Sequence, residues 1–504
     1  MFRKLIELIK QALAKLNLSK EDAEVTDMYT ISDEMQDGIE LWADMYKDES
    51  PWLSDYDGIY SLSLAKTICQ TLTTQVLSEM ESYILAEGQT SVSEDERNTR
   101  ASFLNNQYNT HLLDKLTEKV EVAMAFGGMI FKPYVSGENI YIDFCRQGTF
   151  IPISFDDDGN ITDIAFPDQF TASGYRYTKI ERHTFNAENK TVLVQNKAYR
   201  AKLDENNEDD LDELGVEIPL EMVGRWASLV PEITIENVER PLYGFYRVPL
   251  ANNIDIDSPL GISVYSPAVS MIKKADEQFS RLDWEYEGGQ MAIDVDVTAL
   301  NVSEGYYGTS YSMDRTKNRL YRSLDLGRDD TYKEFAPSLR DANYMSGLDK
   351  YLMRIEDIIG LARGSISEVS AEARTATEIR VLKQRTFITI SSHQTALEKA
   401  LEDTLYAMNV LASLYNLAPE GTYTFNAEWK DSVLTDTQEE LNQRLQLLDA
   451  GVESKVELRM WYKGEDEETA TEAIRQIEES NSSNLLDDLF TQTPESPLDN
   501  NQEE

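Results

Sequence analysis

The stretch Thr375–Leu417 reads TATEIRVLKQRTFITISSHQTALEKALEDTLYAMNVLASLYNL and contains neither glycine nor proline. Because those residues are the strongest helix breakers, the stretch predicts one helix, roughly 64 Å long at the α-helical rise per residue. The opening TATE motif fits a capping box, and Pro419 marks the end. Within the helix, Thr386–Ser392 is β-branched and rich in hydroxyls, which predicts a bend there.

Two shorter helices are predicted before the long one. The first begins at Ser266-Pro267 and ends at Gly288-Gly289, and the second follows Pro337-Ser338. Apolar residues recur at spacings of three and four, which places one narrow seam on each helix. The seams are Ile272, Ala275, Phe279, Leu282 and Tyr286 in the first helix, and Met345, Leu348, Leu352, Ile355 and Ile359 in the second. Such seams predict packing on each other or on neighbouring subunits.

An insertion of short strands separates those two helices. Ile293, Val295 and Val297 alternate with aspartates, which predicts a half-buried strand that can pair with Arg319–Leu326 and Thr331–Phe335. Three tyrosines lie in the Gly/Ser-rich loop between these strands: Tyr306, Tyr307 and Tyr311. Exposed tyrosines suit a contact surface, and a plain mobile loop is the alternative.

Gly360–Arg374 joins the second helix to the long one. Gly360 and Gly364 permit unusual backbone angles, and serines and glutamates keep the centre polar. Burying such groups without partners costs a few kcal/mol each, so we expect a mobile, wet loop. Val369 and Ile366 are expected to pack on a neighbouring subunit. Glycine followed by serines can cradle a phosphate, but neither GxxxxGK[ST] nor GxGxxG is present. An ordinary helix–helix connection is the alternative.

The N-terminal half mixes helices with strands of period two. Met1–Leu16 is a basic amphipathic helix, expected to dock on protein rather than on a membrane. Core-facing helices are predicted at Tyr60–Met80 and Asn98–Ala125. The predicted strands, expected to form one antiparallel sheet, are Met129–Phe131, Ile140–Phe144, Phe150–Phe155, Ile161–Phe166, Tyr177–Phe185 and Thr191–Tyr199, with a hairpin turn at Asp156–Asn160.

Composition limits the classes of function. The chain has 504 residues and a net charge of −44, which argues against tight binding of nucleic acid through phosphates. Asp204–Glu213 contains seven acids and no base, and we interpret it as a solvated linker rather than a calcium loop. Thr422–Trp429 is predicted to be extended and Thr435–Ala450 helical, whereas Asn481–Glu504 has the composition of a disordered tail.

No pattern of residues predicts a catalytic, metal or cofactor site. Cys69 and Cys145 stand alone in apolar contexts, which predicts reduced core thiols. His111, His183 and His393 are far apart in sequence and lack metal-ligand spacing, so we interpret them as structural. The sequence contains no apolar run of transmembrane length and no signal-peptide core.

The order helix, β insertion, helix, short loop, very long helix resembles that of tailed-bacteriophage portal proteins, where these parts are stem, clip, stem, tunnel loop and long helix. Several short strings resemble those of siphophages of Gram-positive hosts. They are Ala251–Asp255, Ser258–Ser263, Leu324–Gly327, Thr375–Glu378, Trp429–Asp431 and Leu448–Gly451. The resemblance runs across nearly the whole chain.

The resemblance implies an α+β portal fold with a helical stem, an antiparallel-sheet wing, a small α/β clip, a long kinked helix and a helical crown. The implied parts are N-terminal helices and wing at 1–257, stem helix 1 at 258–289, clip at 290–337, stem helix 2 at 338–359, tunnel loop at 360–374, long helix at 375–417, crown at 418–480 and an acidic tail at 481–504. Three groups of functional residues are implied. They are Arg363, Gly364, Ser365, Ser367, Glu368, Glu372 and Arg374 in the tunnel loop, Lys273, Lys274, Glu277 and Arg281 on the channel face of the stem, and Tyr306, Tyr307 and Tyr311 as partner contacts of the clip.

A portal protein forms a homo-oligomeric ring, dodecameric in virions of the family, at one capsid vertex. The resemblance therefore implies passage of double-stranded DNA without sequence preference, contacts with the terminase large subunit and then with a head–tail adaptor, and contacts with major capsid and scaffold proteins. It implies assembly in the host cytoplasm, no membrane contact, no cofactor and no catalytic residues, since ATP hydrolysis belongs to terminase.

Two rival functions remain open at this point. One is a hydrolase with paired carboxylates, although chance alone produces acid pairs in a chain with 91 acidic residues. The other is a non-catalytic structural adaptor with a helical stalk, outside a phage.

Overall fold

The computed structural model describes residues 31–53, 58–86, 100–203, 214–289, 292–296, 301–305, 308–312, 321–324, 332–335, 338–368, 376–429, 437–463 and 465–477. Met1–Trp429 and Lys430–Glu504 are two compact units of an α+β architecture. The helix predicted at Met1–Leu16, the acidic run Asp204–Glu213 and the tail Asn481–Glu504 lie outside the described residues. Within those ranges, no helix is both long enough and apolar enough to span a bilayer.

Four helices and one strand open the described chain. They are α1 (Asp33–Tyr46), α2 (Leu64–Leu77), β1 (Met80–Leu85), α3 (Arg100–Tyr108) and α4 (Asp114–Phe126). The predicted core positions Leu64, Ile68, Leu72 and Val76 are buried, but Met80 already belongs to β1. The helix predicted at Asn98–Ala125 is divided by a π-helical turn at Asn109–Leu113.

The next nine described strands form two antiparallel sheets, so the prediction of a single sheet is wrong. They are β2 (Gly128–Ser136), β3 (Asn139–Arg146), β4 (Ile151–Phe155), β5 (Ile161–Ala172), β6 (Tyr175–Asn186), β7 (Thr191–Lys202), β8 (Val216–Ile218), β9 (Glu232–Glu236) and β10 (Gly244–Arg247). One sheet has the order β10-β2-β3, and the other has the order β4-β5-β6-β7-β8 with β9 also paired to β7. In the first sheet, β2 is central, with β3 on one side and β10 on the other. In the second sheet, β4 is an edge strand that pairs with β5.

The predicted hairpin turn between β4 and β5 is confirmed. The Asp156 carboxylate accepts hydrogen bonds from the backbone N–H groups of Asp158 at 3.1 Å and Asn160 at 2.7 Å. Such aspartate side chains close turns by replacing a backbone acceptor.

Two helices flank the insertion, as the sequence predicts. A 3-10 turn at Ser266–Ala268 leads into α5 (Val269–Gly288), and α6 (Asp341–Ile359) follows the insertion. The strands between them are β11 (Ala292–Asp296), β12 (Asn301–Gly305), β13 (Gly308–Ser312), β14 (Tyr321–Leu324) and β15 (Tyr332–Phe335). The predicted pairings are confirmed, since β11 lies between β14, which is parallel to it, and β15, which is antiparallel.

The seams of α5 and α6 are only partly covered within one chain. The two helices pack antiparallel, and Gln278 Nε2 donates to the Tyr344 carbonyl at 3.2 Å. The seam residues Ile272, Ala275, Leu282, Leu348, Ile355 and Ile359 are buried. Tyr286 and Met345 stay 43% and 47% exposed. Both lie at the ends of the helices that adjoin the insertion.

The long helix α7 (Ala376–Leu414) spans 39 residues without interruption. In the hydroxyl-rich segment, Thr389 Oγ1 donates to the Arg385 carbonyl at 3.3 Å and Ser392 Oγ donates to the Ile388 carbonyl at 2.8 Å. Such bonds satisfy hydroxyls in a helix and often accompany bending. The bend itself stays a prediction. Further along, the spacing of apolar residues predicts a seam at Leu397, Leu401, Leu405, Met408, Ala412 and Tyr415. The first five are buried, but Tyr415 is 55% exposed, so the prediction is wrong for that residue.

Backbones approach closely where α7 crosses the three-stranded sheet. A Cβ atom at Gly244 would lie 2.0 Å from the Ala400 carbonyl oxygen and 2.2 Å from Thr404 Oγ1. The Thr404 hydroxyl donates to that same carbonyl at 2.7 Å. Glycine is therefore required at position 244 for α7 to reach β10.

The strand β16 (Thr424–Trp429) closes the first unit. It pairs antiparallel with β1, with Met80 opposite Trp429. This extended segment, assigned to the crown by resemblance, therefore packs with the first unit.

The described part of the second unit is helical. It contains α8 (Thr437–Asp449), α9 (Lys455–Lys463) and α10 at 467–477. Gly451, with φ of +71°, follows α8 as predicted.

Candidate functional site

The described part of the predicted tunnel loop is folded around one carboxylate. Gly360, with φ of +84°, ends α6, and the chain then turns back over the last turn of that helix. The Glu356 carboxylate accepts hydrogen bonds from the N–H groups of Gly364 at 3.2 Å, Ile366 at 2.6 Å and Ser367 at 2.9 Å. The Ser367 hydroxyl donates to the same carboxylate at 2.7 Å. We call this arrangement the Glu356 cradle.

The expectation of a wet loop is wrong for the centre of the cradle. Ser367 is 7% exposed, because its backbone and side chain both face the buried Glu356 carboxylate. Ile366 packs against the main hydrophobic core of its own chain, whereas the expectation from sequence was packing on a neighbouring subunit. Polar loop residues can be buried here because an acceptor within the chain satisfies them.

Arg363 has a partner within the chain. Its guanidinium lies 2.9 Å from an Asp357 carboxylate oxygen, and Arg385 of α7 lies 3.6 Å from the other oxygen. The hydrogen bond from Arg363 holds the pKa of Asp357 below its ordinary value, so this carboxylate stays charged near neutral pH. A phosphate that approached Arg363 would have to compete with Asp357 for it.

The other loop residues differ in exposure. The Ser365 hydroxyl donates to the Ala362 carbonyl at 2.7 Å, which forms a local turn. Glu368 has an exposed side chain, and its N–H donates to the Asp349 carboxylate at 2.9 Å. Glu372, Arg374 and Val369 lie outside the described residues.

The predicted stem residues share one solvent-facing side of α5. Lys273, Lys274 and Arg281 are exposed, and Glu277 is half-buried. Lys274 Nζ lies 3.2 Å from a carboxylate oxygen of Glu277. Three cations against one anion make this helix face locally basic in a chain that is strongly acidic overall.

The predicted clip contacts are only partly covered by the structure. Tyr311 lies in strand β13, paired opposite Val302 of β12, so its predicted place in a loop is wrong. Tyr306 and Tyr307, which would occupy the turn of this hairpin, lie outside the described residues.

The structure also contains a charged cluster that sequence reasoning missed. The Glu181 carboxylate contacts Lys132 Nζ at 3.0 Å, Lys179 Nζ at 2.9 Å and His183 Nε2 at 2.9 Å, and Lys132 also lies over the Phe166 ring. Burial alone would raise the pKa of Glu181, but Lys132, His183 and Lys179 hold it well below its ordinary value. The cluster ties β2 of one sheet to β6 of the other. Residues 179, 181 and 183 alternate along one strand face, and that spacing was the available signal.

Both cysteines and His393 are buried in the protein interior. Cys69 and Cys145 are buried and unpaired as disulfides, and burial raises the pKa of both thiols. His393 is buried beside Tyr246. Among the described residues, no group of three or more His, Cys, Asp or Glu side chains is arranged to hold a metal ion.

Comparison with known proteins adds no identification. No protein-family model matches this chain, and no curated protein matches it either.

Proposed function

We propose that this chain is the subunit of a bacteriophage portal, a ring at one capsid vertex through which double-stranded DNA is packaged and later ejected. The observation that carries the proposal is the order α5, β insertion, α6, loop, α7, in which two antiparallel helices present a small β module at one end. In this proposal, α5 and α6 belong to the stem, 290–337 is the clip, and α7 is the long helix that follows the tunnel loop.

Exposed apolar side chains support a homo-oligomer. At the insertion end of the two helices, Trp284 is 65% exposed, Met345 47%, Leu339 44% and Tyr286 43%. Large apolar side chains that recur in one region of a surface mark contact sites. In a ring, neighbouring copies of the same chain would cover these exposed side chains.

The distribution of charge supports a channel that DNA passes without sticking. Affinity for DNA grows with the number of phosphates that cations neutralise. The basic face of α5 offers only Lys273, Lys274 and Arg281, with Glu277 among them. A dozen such short faces around a ring, in a chain of net charge −44, would touch the backbone briefly and release it.

The ring would also hold the packaging partners in sequence. We infer that the clip binds the terminase large subunit during packaging and a head–tail adaptor afterwards, and that the outer part of the ring meets the major capsid and scaffold proteins.

Electron microscopy of the purified protein tests the proposal. A ring with a central hole supports a portal, a compact monomer indicates an enzyme, and an elongated particle without a hole indicates a structural adaptor. Native mass spectrometry of a chain that lacks Asn481–Glu504 should give the same ring size, because the helices rather than the tail hold it.

Two substitutions sharpen that test. Trp284→Ser combined with Met345→Ser should weaken assembly, since both side chains are exposed on the stem. Ile256→Ser is the matched control, because Ile256 is 86% exposed but lies outside these helices. If the control and the stem variant assemble equally well, the stem does not hold the ring.

A further inference from the structure

Glu356 is an unusual residue for the end of a helix. Its side chain is 0% exposed, and none of the described ion pairs includes it. Its carboxyl oxygens accept hydrogen bonds from backbone N–H groups and one hydroxyl of the following loop. Successive N–H groups that converge in this way form an anion-binding concavity, and here the chain fills it with its own carboxylate.

The same turn of α6 also binds the long helix. Arg385 Nη2 donates to the Asp357 carbonyl, and the single proton of the Thr389 hydroxyl is shared between the Gly360 and Arg385 carbonyls, each 3.3 Å from Oγ1. A Cβ atom at Gly360 would lie 2.3 Å from Thr389 Oγ1, so the backbone at Gly360 packs directly against α7 and leaves no room for a side chain. The end of α6 therefore contacts the loop on one side and α7 on the other.

We propose that Glu356 is a positioning residue that locks residues 361–368 to the end of α6, so that the loop, α6 and this part of α7 move as one body. Residues 361–368 then cannot swing independently of α6. Any displacement of α6 is passed to the loop and to α7 together. This coupling stands on the contacts alone, and only its role in DNA passage rests on the proposed portal function.

Several hydrogen-bond donors of the loop depend on the two carboxyl oxygens of Glu356. Without the Glu356 carboxylate, the N–H groups of Ile366 and Ser367 and the Ser367 hydroxyl lose their partner, whereas the Gly364 N–H keeps Ser367 Oγ at 3.1 Å. Buried donors without partners are unfavourable, so the turn would open to reach water. Opening separates residues 364–367 from α6 and draws Ile366 away from the edge of the hydrophobic core, whereas the backbone amides of α2 and α4 keep their own helical hydrogen bonds.

Hydrogen exchange measured by mass spectrometry on the full-length protein tests the coupling. Glu356→Leu removes both acceptor oxygens, and we expect the amides of Ile366 and Ser367, whose N–H groups donate to Glu356, to exchange at least about tenfold faster. Glu356→Gln keeps one acceptor and should give an intermediate rate. Ser367→Thr keeps the hydroxyl and should keep the protection. Glu287→Gln, at an exposed glutamate of α5, is the matched control for loss of charge.

The lock is supported if exchange at residues 364–367 is slowest in the wild type, faster in Glu356→Gln and fastest in Glu356→Leu, while exchange in α2 and α4 is unchanged. Unchanged exchange at residues 364–367 in the Leu variant overturns it. If Glu356→Leu does not fold, the Gln variant decides alone, and unchanged exchange there overturns the lock.

The role in DNA passage has a separate measurement. Under the proposed function, Glu356→Gln rings should assemble normally but release packaged DNA at a changed rate, because loops that no longer follow α6 grip the duplex differently. Unchanged release from rings with faster loop exchange would remove the DNA role and leave the lock. A wild-type protein that forms no rings would remove the proposed function, while the exchange result would still stand.

Discussion

The hydroxyl of Tyr246 lies 2.7 Å from Nδ1 of His393, and both side chains are buried where α7 crosses β10. Burial lowers the pKa of His393 to about 4, so the imidazole is neutral in the folded chain. The hydroxyl and the neutral ring satisfy each other in a site from which a charged ring would be excluded.

This pair predicts that acid weakens the fold before carboxylates are protonated. An unfolded histidine titrates near pH 6.5, so the unfolded state takes up a proton that buried His393 refuses. The resulting stability is fully present above pH 6.5 and is lost as pH falls from there towards 4. Between pH 7.5 and pH 5 the loss in free energy of unfolding should be about 2 kcal/mol, measurable by urea titration.

His393→Asn should be less stable at pH 7.5 but should lose most of that pH dependence, because asparagine offers Tyr246 an acceptor that does not titrate. His111→Asn is the control, since His111 is only partly buried. An equal slope in the His393 variant and the wild type would contradict the assignment.

The ends of the two stem helices predict a second result. Arg340 Nη2 lies 2.7 Å from one Glu285 oxygen, and Arg340 Nε and its backbone N–H each donate to the other at 3.1 Å. Glu285→Gln should therefore loosen the point where the insertion leaves and rejoins the helices, seen as faster proteolysis within 290–337. The hydrogen bonds from Arg340 lower the pKa of Glu285, so this contribution is present at neutral pH and is lost as pH falls through the lowered pKa.

Exchanging the two charges, with Glu285→Arg and Arg340→Glu together, should recover part of the resistance to proteolysis. Glu287→Gln should have little effect, because Glu287 is exposed and lies outside this pair. Equal cleavage rates in Glu285→Gln and Glu287→Gln would sink the idea.

The close contact at Gly244 predicts that one added methyl group will greatly lower the stability of the fold. Gly244→Ala should reduce the free energy of unfolding by about 3 kcal/mol, because the new Cβ meets the backbone of α7. Gly224→Ala is the matched control, since nothing lies within 4 Å of its Cβ position. Equal melting temperatures for the two variants would show that α7 can shift away at little cost.

The insertion predicts partner binding without loss of assembly. Under the proposed function, replacing Tyr306, Tyr307 and Tyr311 together with serine should weaken binding of the terminase large subunit or the head–tail adaptor while rings still form, because aromatic side chains dominate such contacts. The control replaces Tyr60, Tyr415 and Tyr462, which are 46%, 55% and 60% exposed. Titration with purified partners decides, and an affinity equal to that of the control would exclude the three tyrosines.

Most helices and strands could be predicted from sequence because their signals are local. Ser266-Pro267, the glycines after α5 and the aspartate turn after β4 each specify a boundary through backbone chemistry nearby. Partners across the fold carry no such signal. A period of two predicted β2 to β7, but β1, β8, β9 and β10 were missed. Nor could the sequence say that β10 joins β2, or that β1 pairs with β16.

The candidate loop illustrates the same limit. Its polar composition was visible, and from composition alone a wet loop was the reasonable expectation. What buries Ser367 is one glutamate eleven positions earlier, whose side chain turns towards the loop rather than towards water. Glutamate is seldom fully buried, so nothing in its own sequence context marked Glu356 as the acceptor.

The pairing of β1 with β16 affects the order in which the molecule can be made. The Tyr83 hydroxyl donates to the Glu428 carboxylate, 345 positions later in the chain. At ordinary rates of synthesis, β1 leaves the ribosome on the order of half a minute before its partner exists. During that interval its edge is open to the β16 strand of another nascent chain on the same message. Chains that exchange these strands would be linked before either had finished folding, so the crowding of ribosomes on one message could decide how much protein reaches the correct monomeric fold.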